Sequence, residues 1–103
     1  MINIEIIRRD GSIIYLKSSG HADYDELGKD IVCAGVSAVI FAGLNSFESI
    51  NDFEINIVDN SSVEIKTKNK ITSHDVTVLE VVYNGLKSIE ESYSKYVKIK
   101  TKE

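Results

Sequence analysis

The sequence predicts a small α+β domain in which two β-hairpins and two helices alternate in the order ββαββα, with a short strand after the second helix. Three observations carry this prediction. Apolar and polar residues alternate with period two on both sides of two turn-forming tetrads, Arg9-Asp10-Gly11-Ser12 and Asp59-Asn60-Ser61-Ser62. Each alternating pair is followed by a stretch with helical spacing of its apolar residues. At 103 residues the chain is large enough for one core and too short for two, so residues 1–103 are read as a single domain with a mostly antiparallel sheet packed on two helices.

In the first strand Ile2, Ile4 and Ile6 alternate with Asn3 and Glu5. Asp10-Gly11 is among the strongest hairpin dipeptides, and Ile13 to Lys17 reads as the returning strand. Ser18 to Asp30 has no period and holds two glycines, so it reads as a long loop of the kind that often carries function. Asp30 is suited to cap the first helix, its carboxylate accepting from free N–H groups of the first turn. That helix is expected over 31–50.

Ile31, Val32, Val36, Val39, Ile40, Phe41, Leu44, Phe47 and Ile50 cover more than one stripe of it, and a helix apolar nearly all round is buried on several sides. Small residues at Ala34, Gly35, Ser37, Ala38, Ala42 and Gly43 permit close approach of another backbone. A second helix is expected there, with a second subunit as a candidate to cover the remainder. Glu54 to Val58 and Val63 to Thr67 form the second hairpin. Thr72-Ser73-His74-Asp75 has the pattern of a capping box, followed by Leu79, Val82, Leu86, Ile89 and Tyr93 on one helical face. Tyr96 to Lys100 alternates once more.

Composition excludes several classes. The net charge of −4 argues against a general nucleic-acid binder, which needs clustered Lys and Arg, and is compatible with a basic partner or substrate. Lys66, Lys68 and Lys70, like Lys98, Lys100 and Lys102, are read as solvated strand faces. The single cysteine forbids an internal disulfide and a cysteine-rich zinc site. No signal-peptide pattern opens the chain, and no apolar run approaches the roughly 20 residues of a membrane span, so a cytoplasmic protein with a reduced thiol is expected. Asn60-Ser61-Ser62 matches the glycosylation pattern but reads as turn chemistry. There is no phosphate loop, and His21, His74 and Cys33 lack the close pairs of a zinc site, so neither metal nor cofactor is expected.

The chemistry concentrates at Gly20 to Ala38. Cys33 falls on the first turn of the first helix, where free N–H groups and the helix dipole favour a thiolate. A nucleophilic cysteine needs a base within hydrogen-bond reach, and His21 stands at the far end of the loop leading into that helix. By residue type alone, a lone cysteine among Ile, Val and Ala reads first as buried packing. Asp23, Asp25, Glu26 and Asp30 would raise the thiol pKa if they faced it. Asp30 is first a cap and alternatively an acid that orients His21, as in triad-like sites. Ser37, one turn after Cys33, serves packing or lines the site, and His74 reads as a solvated surface residue.

Gly20-His21-Ala22, an acidic loop with Gly28, and then Asp30-Ile31-Val32-Cys33-Ala34-Gly35-Val36-Ser37-Ala38 resemble the ribosomal-processing cysteine protease family, Prp. The resemblance implies a cysteine endopeptidase, found chiefly in Gram-positive bacteria, with a Cys–His dyad. Such enzymes remove a short N-terminal extension from large-subunit ribosomal protein twenty-seven, cutting after aromatic residues and before a small one. It implies a small homodimeric domain whose dyad is His21 and Cys33, with Asp30 as supporting acid. Gly20, Ala34 and Ser37 would contact substrate, and Gly28 would be a hinge in a loop that closes over the peptide. First-turn N–H groups of the helix would hold the oxyanion. No direct nucleic-acid or membrane partner is expected. The rival reading keeps the fold as a ribosome-associated or assembly protein that only binds a peptide in its groove, and a third treats the thiol as inert.

Overall fold

Alternation sets the two faces of the sheet. Ile2, Ile4 and Ile6 turn inward and are buried, while Asn3 between them is exposed. A computed structural model describes residues 1–26, 29–59 and 62–103. Its elements are β1 (Ile2–Arg9), β2 (Ser12–Ser19), α1 (Ile31–Ser46), a single 3-10 turn (Ile50–Asp52), β3 (Phe53–Val58), β4 (Ser62–Thr67), α2 (Ser73–Ser92) and β5 (Val97–Lys102). The five strands form one sheet in the order β3-β4-β2-β1-β5. Every neighbouring pair is antiparallel except β1 and β5, which run parallel. The α+β class, the mostly antiparallel sheet and the two helices are those the alternation predicts.

The first hairpin turns at Asp10 (φ 53°) and Gly11 (φ 83°), the left-handed pair that a two-residue turn needs. A register shift follows, since Ile7 faces Tyr15 but Arg8 faces Ile13. Ile14 is thereby left over as a bulge, which lets both Ile13 and Leu16 reach the core despite their odd spacing. Ile4, Ile6, Leu16 and Ile65 from the sheet meet Val32, Val36 and Ile40 of α1 and Leu79, Val82 and Leu86 of α2. The helices approach closely at two glycines. A Cβ on Gly43 would collide with Val82, and one on Gly85 would come within 2.9 Å of Val39 Cγ1.

Two boundaries differ notably from expectation. The returning strand continues through Ser18 and Ser19, which pair with Val63 and Ser62 of β4, so the loop starts at Gly20. α1 stops at Ser46, although its apolar pattern runs on to Ile50. The stop is tertiary. Asp75, 0% exposed, accepts hydrogen bonds from the Glu48 and Ser49 N–H groups at 2.9 and 3.1 Å and turns the chain out of the helix. The capping box is therefore only half formed. Thr72 Oγ1 accepts from Asp75 N at 3.1 Å, but the Asp75 carboxylate reaches across to the end of α1 instead of back to its own cap. His74 is half exposed and bonded through Nδ1 to Asp75 at 2.9 Å, rather than simply solvated. The six lysines at 66, 68, 70, 98, 100 and 102 are exposed, as expected. Asn60, Ser61 and the proposed hinge Gly28 lie outside the described residues.

Candidate active site

Two elements build the site: the start of α1 and the loop that precedes it. The loop leaves β2 at Gly20, whose φ of 89° and the Met1 carbonyl 2.6 Å from where a Cβ would sit both demand glycine. His21 follows, exposed, and Ala22 then dips into the core at 3% exposure. The Ala22 N–H donates to Cys33 Sγ at 3.3 Å, which sets the loop against the thiol. Asp30 fixes both sides of this contact. Its Oδ1 accepts from the Val32 and Cys33 N–H groups, each at 3.0 Å, and its Oδ2 accepts from Tyr24 N at 3.0 Å. One buried carboxylate thus starts the helix and holds the loop. The Tyr24 ring is held as well, edge-on to Tyr93 and Tyr96 with centroids 5.6 and 5.1 Å away.

His21, Cys33, Asp30, Gly20, Ala34 and Ser37 all line one open groove of about 710 Å³. The groove continues beyond them between α1 and the sheet, past Val36 and Ile40 to Phe41, Asp59 and Val63. The last three were not singled out from the sequence. Phe41 carried a signal, because it lies two turns beyond Cys33 on a helix with more apolar residues than one core needs. Among the described residues no hydrogen bond joins His21 to Cys33 or to Asp30 in this structure, and Asp30 acts as cap.

The electrostatics correct one expectation. The Cys33 thiol pKa is raised, not lowered: burial pushes it up most, the Ala22 N–H opposes, and the charges of Asp30 and Asp23 and the thiol's hydrogen bond to Asp30 add to the rise. The Val32 and Cys33 amides at the helix start donate to Asp30 rather than to the sulfur. The same interception removes those two N–H groups as oxyanion donors. Burial also pushes the Asp30 carboxyl up, but the Cys33 and Tyr24 amides together hold its pKa below the ordinary carboxylate value. Among the described residues no group of three or more His, Cys, Asp and Glu is arranged to hold a metal ion, and no helix is long and apolar enough to cross a membrane.

A half-buried thiol at a helix start, facing an open groove beside a histidine on a small α+β scaffold, is the arrangement of a thiol peptidase. A family model described as cysteine protease Prp matches residues 1–98, and the chain belongs to this family of cysteine proteases. It is 31% identical over 106 residues to the ribosomal processing cysteine protease Prp of Staphylococcus aureus strain Mu50, covering 99% of this chain and 100% of that one. The protein of that name from Mycoplasma pneumoniae is 39% identical over 84 residues, covering 80% and 81%. Among solved structures, the S. aureus protease with a covalently linked product peptide superposes with a TM-score of 0.90 at 32% identity, over 98% of this chain and 99% of that one. The S. aureus protease with a substrate peptide gives 0.78 at 29% identity, with the same coverage.

Proposed function

We propose that this cysteine protease is a ribosomal-processing endopeptidase that removes the N-terminal extension of large-subunit ribosomal protein twenty-seven, using His21 and Cys33 as its dyad. The observation that supports the reading is the Ala22 N–H on Cys33 Sγ at 3.3 Å, which holds the residue next to His21 against the thiol in a groove that His21 also lines. Side-chain rotation then brings base and thiol together when a peptide enters, and catalytic hydrogen bonds commonly tighten only in such a complex. The relatives named for ribosomal processing support the substrate class.

In this mechanism His21 takes the Cys33 proton as the sulfur attacks the scissile carbonyl. The Ala22 amide, released from the sulfur as the C–S bond forms, becomes available to the oxyanion, an interaction worth about 2.7–4 kcal/mol per donor. The tetrahedral adduct collapses, the new amine leaves with the proton from His21, and the N-terminal fragment stays on Cys33 as a thioester. Water, deprotonated by His21, hydrolyses it. Asp30 supports the dyad by position, since its carboxylate spans the loop and the helix start. Gly20, Ala34 and Ser37 flank the thiol and contact the peptide. The enzyme acts as a homodimer in the cytoplasm, with no nucleic acid or membrane as direct partner.

The test is incubation with the N-terminally extended ribosomal protein, followed by mass spectrometry. Cleavage by the wild type that disappears in Cys33→Ala and in His21→Ala is expected. Cleavage surviving in Cys33→Ala would overturn the mechanism, and an untouched substrate would overturn the function.

A further inference from the structure

The groove is longer than the chemistry requires. Its far end sets Phe41 and Val63 beside Asp59 and Ser62, and α1 does not need that end for its own packing. Val32, Val36 and Ile40 fill the core stripe, and Val39 and Gly43 meet α2. Phe41 lies off both, 39% exposed, and faces the groove together with half-buried Val63 from the start of β4. Resting on the reading of Cys33 as the attacking atom, we propose that Phe41 and Val63 form a subsite for an apolar side chain of the substrate, three to four residues from the scissile bond.

Distance along the helix sets that register. Cys33 and Phe41 are eight positions apart, about 12 Å at a rise of 1.5 Å per residue. An extended peptide advances about 3.3 Å per residue, so three to four of its residues span the gap. Ala34, Ser37 and Phe41 lie within about a sixth of a turn of one another around the helix, given about 3.6 residues per turn. Cys33 closes the same face at the thiol end. Ser37 stands between thiol and phenyl ring, where its hydroxyl can serve the peptide backbone, while Val36 and Ile40 make the floor. An extended chain carrying one apolar anchor fits a groove that is polar at the thiol and, beyond it, offers the Phe41 ring and Val63 beside Asp59 and Ser62. Continuity with the reactive end makes substrate the occupant rather than a second copy of this chain.

The experiment measures kcat/KM for peptides that share one scissile bond and carry Ala, Leu or Lys at the third and fourth positions on either side of it. On one side, Leu is expected to exceed Ala about tenfold to a hundredfold, the range for one apolar side chain in a pocket. In Phe41→Ala that ratio is expected to collapse towards one, and in Phe41→Leu to be largely restored. A wild-type enzyme that cleaves every peptide but shows no preference at these positions overturns the subsite alone. So does a Phe41→Ala enzyme that keeps the preference, or that loses only its oligomeric state by sedimentation. If no peptide is cut, the reading of the thiol as nucleophile falls, and the subsite falls with it.

Discussion

At the scale of single residues, the surroundings of Cys33 push its thiol pKa up, burial first. Burial and the carboxylates of Asp30 and Asp23 favour the neutral form, so full nucleophilicity waits for a base and a substrate that excludes water. Alkylation by iodoacetamide near pH 7 should therefore be slower than for a free cysteine. Asp23→Asn should speed it about twofold at low ionic strength, because removing a negative charge lowers the thiol pKa, and the gain should shrink as salt screens that exposed charge. Equal rates in both proteins at low salt would contradict the assignment. Asp30→Asn should lower the thiol pKa further while circular dichroism stays unchanged, since a capping oxygen remains. His21, Cys33 and Asp30 drew attention in the sequence by their types and spacing, and all three line one groove. The raised thiol pKa was legible only as a condition, because it turns on how far Cys33 is buried and on whether Asp30 and Asp23 face it, which the tertiary structure decides.

At the scale of elements, Asp75 joins the two helices. It is buried, yet its pKa lies below the ordinary carboxylate value: burial pushes it up, and the Glu48 amide, His74 and the Ser49 amide outweigh that. Replacing it by Ala leaves two inward N–H groups without acceptors and should cost about 3 kcal/mol in a urea titration. Asp75→Asn should cost less, because an acceptor oxygen remains. The pair also sets a pH window. The depressed pKa of Asp75 contributes stability above its unfolded value that is lost as pH falls through the folded one. The His74 pKa is raised by its bond to Asp75, so its contribution is full below its unfolded value and fades as pH rises through the folded one. His74→Ala should therefore destabilise most between roughly pH 4 and 6.5. A constant difference across pH would remove this role. Asp75 also explains the early end of α1, which no glycine or proline announced. Ser18 and Ser19 escaped notice for a related reason: pairing with β4 makes them strand where composition suggests loop.

At the scale of the molecule, the order of hairpins and helices was readable because each hairpin has its own alternation and each helix its own spacing. The sheet order β3-β4-β2-β1-β5 and the parallel β5 depend on long-range pairing that periodicity does not encode. The surplus of apolar residues on α1 was also readable. Part of it lines the groove, and Ile31 remains 57% exposed on the flank that also carries exposed Ala38 and Ala42. We propose this exposed flank as the contact of the proposed homodimer, so Ala38→Glu should halve the mass measured by sedimentation equilibrium and leave circular dichroism unchanged. A dimer that persists would move the interface elsewhere.

The central claim is that Cys33 attacks the peptide bond with His21 as its base. Rapid acid quench of a single turnover, followed by peptide mapping, tests it most directly. The account predicts a thioester on Cys33 that carries the N-terminal fragment of the substrate, absent in His21→Ala. Cleavage without any adduct, or an adduct on another residue, would contradict it.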